Sequence, residues 1–202
     1  MDLLLSKLLD SVVQIAIFSA IPVLWWLVIN KRKENIFKWI GLKKVEIFNF
    51  KVVLYIAIGV IGILSIGILL LHLTRDMETA TSEFAGLGYK GLPAAMIFAF
   101  LGTGLPEEIF FRGFLLKRIS NKFGLLAGIL IQGILFGLIH GILFISIMGI
   151  IKTLMIIIFT GTVGCFIGYV NEKKAQGSII VSWIIHGLAN TFSSIISLFL
   201  LI

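Results

Sequence analysis

Six stretches of about 20 apolar residues run along this chain, and they constrain its fold more than any other feature. A helix needs about that length to cross the hydrocarbon core of a bilayer. The stretches lie at about residues 8–29, 52–71, 92–116, 123–144, 149–170 and 178–200. Because only helices and closed barrels satisfy their backbone in lipid, we predict an all-α polytopic transmembrane helical bundle with about six spans.

The composition favours a single integral-membrane domain over residues 1–202. Hydrophobic residues make up 59% of the chain and charged residues only 13%, whereas a soluble domain usually has about 25% charged residues. The first apolar stretch is too long for a cleavable signal peptide, so we expect it to be a permanent helix. Cys165 is the only cysteine, so no internal disulfide is expected.

Basic residues lie between the apolar stretches and predict how the chain is oriented. The net charge is +7, but these residues do not gather on an aromatic-rich soluble face, so nucleic acid is not expected as a partner. Segment 31–51 holds seven basic and two acidic residues, and segments 117–122 and 171–177 are also basic. The positive-inside rule therefore predicts that these three segments are cytoplasmic and that both termini are outside.

Two further patterns concern the membrane surface and the packing of helices. Segment 31–51 predicts a short interfacial helix that contacts anionic headgroups, because its lysines alternate with apolar side chains. These are Phe37, Trp39, Ile40 and Phe48. Glycines recur every four or five residues from Gly124 to Gly141, and three more mark the fifth stretch. Such glycines let helices approach closely in lipid.

Three polar clusters interrupt the apolar stretches, and the first contains two adjacent acids, Glu107 and Glu108. A charge at the bilayer centre costs about 2.5–3.5 kcal/mol, so such residues usually mark a functional site. Glu108 precedes Arg112 by four residues, which favours an ion pair, structural or otherwise. We expect this pair to leave Glu107 facing a cavity. Pro106 predicts a helix break that puts a positive dipole end near the carboxylates.

Each of the other two clusters consists of a histidine and a second residue four positions away, which is about one helical turn. Phe136 and His140 lie late in the fourth stretch. A lone histidine near a helix end is more often an interfacial or hydrogen-bonded residue than a functional one. His186 and Asn190 lie in the middle of the sixth stretch and share one face of an otherwise apolar helix. Two polar groups on such a face indicate a functional site.

Together the clusters supply groups that can hydrolyse a peptide bond. A buried glutamate working with a histidine can activate water, and His186 with Asn190 can donate to the developing oxyanion. The same residues, in particular Glu107, His140 and His186, can also ligate a divalent metal such as Zn²⁺. The sequence His-Glu-x-x-His of many zinc proteases is absent. A metal site and a metal-free glutamate mechanism are both open.

The ordered set Glu107-Glu108-x-x-x-Arg112, Phe136-x-x-x-His140 and His186-x-x-x-Asn190 resembles the CPBP family. This family comprises the type II CAAX prenyl endopeptidases and the bacterial Abi-type, bacteriocin-processing proteins. The resemblance covers about residues 92–200 and implies a catalytic core over 92–202, preceded by N-terminal spans and the basic segment over 1–91. It also implies that Glu107 and His140 activate water and that His186 and Asn190 form the oxyanion hole. Glu108, Arg112 and Phe136 would support them.

Other functions are compatible with an intramembrane polar site. A non-catalytic immunity protein or scaffold would keep its function without Glu107. A proton-coupled transporter would also place acids and histidines at mid-depth, but transporters commonly have internal repeats and none is evident. We therefore expect an intramembrane endopeptidase that acts on a protein or peptide presented at the membrane. The sequence identifies neither that substrate nor the oligomeric state.

Overall fold

The computed structural model describes residues 2–29, 33–45, 49–75 and 79–201, and within these ranges it is helical without strands. The predicted all-α fold is therefore confirmed. Five elements are long and apolar enough to cross a membrane. They are α1 (Leu3–Val28), α3 (Phe50–Leu73), α4 (Gly88–Phe123), α5 (Leu125–Lys174) and α6 (Ile179–Leu198). A short helix, α2 (Ile36–Trp39), lies between α1 and α3.

The fourth and fifth predicted spans are present as two helical arms of α5 that meet at a sharp kink. Gly149 has φ 72° and ψ 170°, a conformation outside the helical region that glycine adopts without strain. The arms, 125–148 and 150–169, pack against each other in antiparallel fashion. The five apolar elements of the described residues therefore account for the six predicted spans, because α5 contains both the fourth and the fifth.

Glycines make the close contact between the two arms possible. A Cβ atom on Gly137 would lie 3.0 Å from the backbone nitrogen of Gly161, and a Cβ on Gly133 would lie 3.0 Å from the Gly161 carbonyl oxygen. The fully buried Gln132 adds a hydrogen bond from its Nε2 to the carbonyl of Gly164, at 2.8 Å. The expectation of close packing at these glycines is confirmed.

The predicted segment contains a short helix, α2, in which Trp39 is buried while Phe37 is exposed. Asn35 caps the helix by accepting a hydrogen bond from the backbone N–H of Phe37. Trp39 and Ile40 are buried, and the Trp39 ring lies 6.1 Å from the ring of Phe114. Phe114 of α4 therefore covers this part of the segment, and the interfacial position of the helix stays a prediction. Phe48 lies outside the described residues, and contact with anionic headgroups stays a prediction.

The chain forms two compact units that alternate along the sequence. Unit 1 comprises Met1–Lys43, Glu78–Phe114 and Ile179–Ile202. Unit 2 comprises Lys44–Met77 and Leu115–Ser178. The prediction of a single domain with a catalytic core over 92–202 stays a prediction.

In unit 1, the first part of α4 packs between α1 and α6. One end of this packing is a small apolar cluster in which Phe84, Ala94, Ala95 and Leu198 are buried. Further along, the rings of Phe18 and Phe110 meet edge to face with their centroids 6.0 Å apart. These contacts on both sides of α4 hold the segment that carries the two adjacent acids.

In unit 2, α3 packs against the second arm of α5. The rings of Tyr55 and Phe166 lie 6.1 Å apart, and the backbone of Gly59 meets the Phe166 ring. At the end of α5, Lys117 forms an ion pair of 2.8 Å with Glu172. These contacts fix the hairpin that carries Phe136 and His140.

Candidate functional site

Helix α4 continues through Pro106 without a break. Gly104, two residues earlier, has helical φ/ψ angles of −57° and −56°. Two π-helical segments, Phe98–Gly104 and Glu108–Leu116, flank a single α-helical turn at the proline. In the first segment the Leu105 N–H bonds to the Phe100 carbonyl, so the missing proline N–H removes only the next bond of this pattern. The predicted break, and with it a dipole end at the carboxylates, is wrong.

The predicted ion pair between Glu108 and Arg112 is confirmed. Arg112 Nη1 lies 3.1 Å from Glu108 Oε1, and both side chains are completely buried. An arginine without a carboxylate would be very costly in this environment, and so would the carboxylate alone. Glu108 therefore makes Arg112 tolerable inside unit 1.

His186 lies between the two glutamates, a position that the sequence did not predict. Its Nδ1 lies 3.0 Å from Glu108 Oε1, and its Nε2 lies 3.6 Å from Glu107 Oε2. Because a carboxylate paired with arginine only accepts hydrogen bonds, Nδ1 carries the proton that points at Glu108. Nε2 is then the imidazole atom directed toward Glu107.

Asn190 lies one turn beyond His186 and bonds to a residue that the sequence did not single out. Its Nδ2 donates to Thr103 Oγ1 at 2.7 Å. The Thr103 hydroxyl is itself within reach of the Phe98 carbonyl at 3.2 Å and of the Ala99 carbonyl at 3.4 Å. The contact joins residues 87 positions apart, so no local pattern could have indicated it.

The four side chains form two rungs between antiparallel helices. Glu107 of α4 faces His186 of α6, and Thr103 of α4 faces Asn190 of α6. From one rung to the next the residue number rises by four on α4 and falls by four on α6, so the two helices are antiparallel. Both rungs span the same pair of helices within unit 1, which brings a carboxylate, an imidazole and a carboxamide to one face.

A separate set of contacts fixes the register of these two helices. Trp183 Nε1 donates to the Phe100 carbonyl at 2.7 Å. The Phe100 ring packs directly on Gly187, where any Cβ atom would collide with it. The Trp183 indole also packs near Gly104, where a Cβ would lie 3.4 Å from it. These contacts use none of the four rung residues.

Phe136 and His140 lie in the first arm of α5, in unit 2. His140 Nδ1 lies 2.8 Å from the Phe136 carbonyl oxygen, and the two rings are 4.4 Å apart. A carbonyl can only accept, so Nδ1 carries a proton, and in the neutral imidazole Nε2 is left as the acceptor. This explains the spacing of Phe136-x-x-x-His140. The predicted cooperation of His140 with Glu107 stays a prediction.

The residues described offer no ready metal site. Among them, no group of three or more His, Cys, Asp or Glu side chains is arranged so that it could hold a metal ion. In unit 1 the converging groups are Glu107, Glu108 and His186, and the last two already bond to each other. A site with three protein ligands of the zinc type does not fit there. The ligand set Glu107, His140 and His186 stays a prediction, and no step below uses a metal.

Comparison with known proteins gives one match. A family model described as "Type II CAAX prenyl endopeptidase Rce1-like" matches residues 89–192. The matched region is slightly more than half of the 202-residue chain and contains all three polar clusters. No curated protein and no solved structure matches the chain.

Proposed function

Because the chain belongs to the Rce1-like family of type II CAAX prenyl endopeptidases, we propose that it cleaves a peptide bond of a protein or peptide presented at the membrane. Membership in this family supports an intramembrane protease activity, and the five apolar elements accord with a multi-pass membrane protein. The family description names prenylated CAAX sequences, so a farnesylated CAAX peptide is our first choice of substrate.

One observation carries the assignment of residues: Glu107 and His186 meet at 3.6 Å inside unit 1 while Glu108 occupies the other side of the imidazole. The Glu107 side chain is 17% exposed, whereas that of Glu108 is fully buried. Of the two acids, Glu107 is therefore the one that the protein does not fully enclose, and we assign it the contact with water and substrate. This agrees with the division of roles that the Glu108–Arg112 spacing predicts.

In the proposed reaction Glu107 takes a proton from water as the water oxygen attacks the scissile carbonyl carbon. His140, with Nε2 as its acceptor atom, would assist in this step. The carbonyl oxygen becomes an oxyanion, to which Asn190 donates from Nδ2. When the carbon–nitrogen bond breaks, Glu107 returns its proton to the leaving amine, and the carboxyl product retains the water oxygen.

His186 would donate to the oxyanion in its imidazolium form. That form directs one N–H at Glu108 and the other, on Nε2, toward the reacting carbonyl. The two glutamates thus have separate roles in the proposal, since Glu107 transfers a proton and Glu108 binds Arg112 and His186.

The test is cleavage of a fluorescence-quenched farnesylated CAAX peptide by the full chain in lipid vesicles. We expect Glu107→Gln and His186→Ala to lower kcat/KM by about 10³-fold or more, since each removes a group used in the transition state. Glu83→Gln and His72→Ala are the matched controls, because Glu83 pairs with Lys7 and His72 lies at the exposed end of α3. Folded yield is measured for each variant.

Cleavage by Glu107→Gln at more than about a tenth of the wild-type rate would contradict the catalytic role of Glu107. The same peptide without the farnesyl group shows whether the lipid contributes to recognition. If the wild-type chain cleaves neither peptide, this substrate class is wrong.

A further inference from the structure

We propose that Thr103 is a positioning residue that orients the carboxamide of Asn190 for the reaction. The inference rests on the proposed function, in which Asn190 donates a hydrogen bond to the oxyanion. It concerns a residue outside the three motifs, in the π-helical segment that precedes the two acids. The Thr103 hydroxyl acts through Asn190 and makes no contact with the reacting atoms.

The hydrogen bonds around the hydroxyl explain why it selects one orientation of the amide. A threonine hydroxyl has one proton, and here it points at the carbonyls of Phe98 and Ala99, 3.2 and 3.4 Å away. The oxygen is then left as an acceptor, and Asn190 Nδ2 donates to it at 2.7 Å. A flipped amide would place Oδ1 against this oxygen, so that two acceptors would face each other. The hydroxyl therefore keeps the NH₂ group of Asn190 in place.

This orientation matters because an amide presents donors on one side and an acceptor on the other. With one N–H of Nδ2 fixed on Thr103, the second N–H of the same nitrogen is held in a defined direction. An oxyanion requires such a donor, whereas Oδ1 in its place would repel it. A valine at position 103 would fill the same space but would leave the amide free to rotate.

The position of Thr103 relative to Glu107 supports a role in the site. The two residues are four apart on α4, about one turn, and their partners His186 and Asn190 are also four apart on α6. The Thr103–Asn190 rung is therefore next to the Glu107–His186 rung. A change in the first displaces a donor only one turn from the proposed base.

The fold does not need this hydroxyl. The bond from Trp183 to the Phe100 carbonyl and the packing of the Phe100 ring on Gly187 fix the two helices independently. Valine replaces the hydroxyl by a methyl group of similar size, so it leaves no cavity at this partly buried position. Loss of the hydroxyl should thus affect the chemical step more than the helix pair.

The experiment compares Thr103→Val and Thr103→Ser in the full chain, with the farnesylated reporter peptide in lipid vesicles. We expect Thr103→Val to lower kcat roughly tenfold to a hundredfold with KM changed by less than about twofold, because a misplaced donor weakens the transition state. Thr103→Ser keeps the hydroxyl and should remain within about threefold of wild type. Thr191→Val is the matched control, since that hydroxyl bonds to the Gly187 carbonyl of its own helix.

A double-mutant cycle tests whether Thr103 acts through Asn190. In an Asn190→Ala background, Thr103→Val should cause no further loss of kcat. The proposal is overturned if Thr103→Val keeps kcat within about twofold of wild type, or if it lowers kcat equally in both backgrounds. If the valine variant does not fold, Thr103→Ala takes its place in the same cycle.

Failure of this inference can be told apart from failure of the proposed function. If Glu107→Gln and Asn190→Ala are inactive while Thr103→Val is fully active, the protease assignment stands and the role of Thr103 is wrong. If Asn190→Ala itself cleaves as fast as wild type, the oxyanion role of Asn190 is wrong and the inference is overturned with it.

Discussion

Replacing Glu108 by glutamine should destabilise the protein much more than the same change at Glu107. Glu108 is completely buried, and its Oε1 contacts Arg112 at 3.1 Å and His186 at 3.0 Å. Glutamine keeps an oxygen that can accept one of these bonds but removes the negative charge. Breaking a buried ion pair from one side typically costs about 3–5 kcal/mol. Because the amide oxygen retains one acceptor, we expect a loss near the lower end, about 3 kcal/mol.

The assay is equilibrium unfolding in mixed micelles as the fraction of denaturing detergent rises. Glu107→Gln is the internal comparison, since the Glu107 side chain is partly exposed, whereas Glu108 belongs to a fully buried ion pair. We expect that variant to change the free energy of unfolding by less than about 1 kcal/mol. Its cleavage activity should nevertheless be lost, as proposed above.

A double variant, Glu108→Gln with Arg112→Met, separates the charge from the packing. Removing both charges should restore at least half of the lost stability, because the cost comes from an uncompensated buried cation. A Glu108→Gln variant as stable as wild type, or an Arg112→Met change that adds to its defect, would refute this reasoning. So would equal destabilisation by the two glutamine substitutions.

Two further substitutions test the packing within each unit. Gly137→Ala places a Cβ 3.0 Å from the backbone nitrogen of Gly161, so we expect it to destabilise the α5 hairpin by about 1–3 kcal/mol in the same unfolding assay. Gly62→Ala is its control, since no atom of the described residues lies within 4 Å of the added methyl group. Equal destabilisation by the two substitutions would contradict the packing. Trp183→Phe removes the hydrogen bond to the Phe100 carbonyl and should cost about 0.6–1.7 kcal/mol; no measurable change would show that this bond does not help fix the register.

The sequence predicts those parts of the structure that depend on local spacing. Runs of apolar residues indicate the helices, and the four-residue step from Glu108 to Arg112 indicates the ion pair. Phe136 and His140 also interact through one turn of one helix. In each case the two partners lie on the same element, so a helical period alone brings them together.

Contacts between helices are not predictable in this way. Glu108 and His186 are 78 residues apart, and Thr103 and Asn190 are 87 apart. Nothing in a single sequence indicates which faces of two apolar helices meet. A threonine between two glycines is an ordinary residue in a membrane helix, so Thr103 carried no signal until its neighbour on α6 was known.

The error at Pro106 shows how a local rule depends on its surroundings. Proline removes one backbone donor and usually ends a helix in water. Within a membrane helix the freed groups can be satisfied by neighbouring side chains or by a change of helical period. Here the helical period changes on both sides of the proline, and the backbone around it keeps helical angles. The helix therefore continues where its isolated sequence predicts an end.

The continuity of this helix explains how two adjacent acids can serve one histidine. Neighbouring residues on a helix point about 100° apart, so Glu107 and Glu108 diverge, and a single imidazole must lie between their directions to reach both. His186 does so with Nδ1 on the buried acid and Nε2 toward the accessible one. A helix break at Pro106 would free Glu107 from this fixed angle. The π-helical segments are thus part of the site, because they keep both carboxylates on one rigid element while the chain passes a proline.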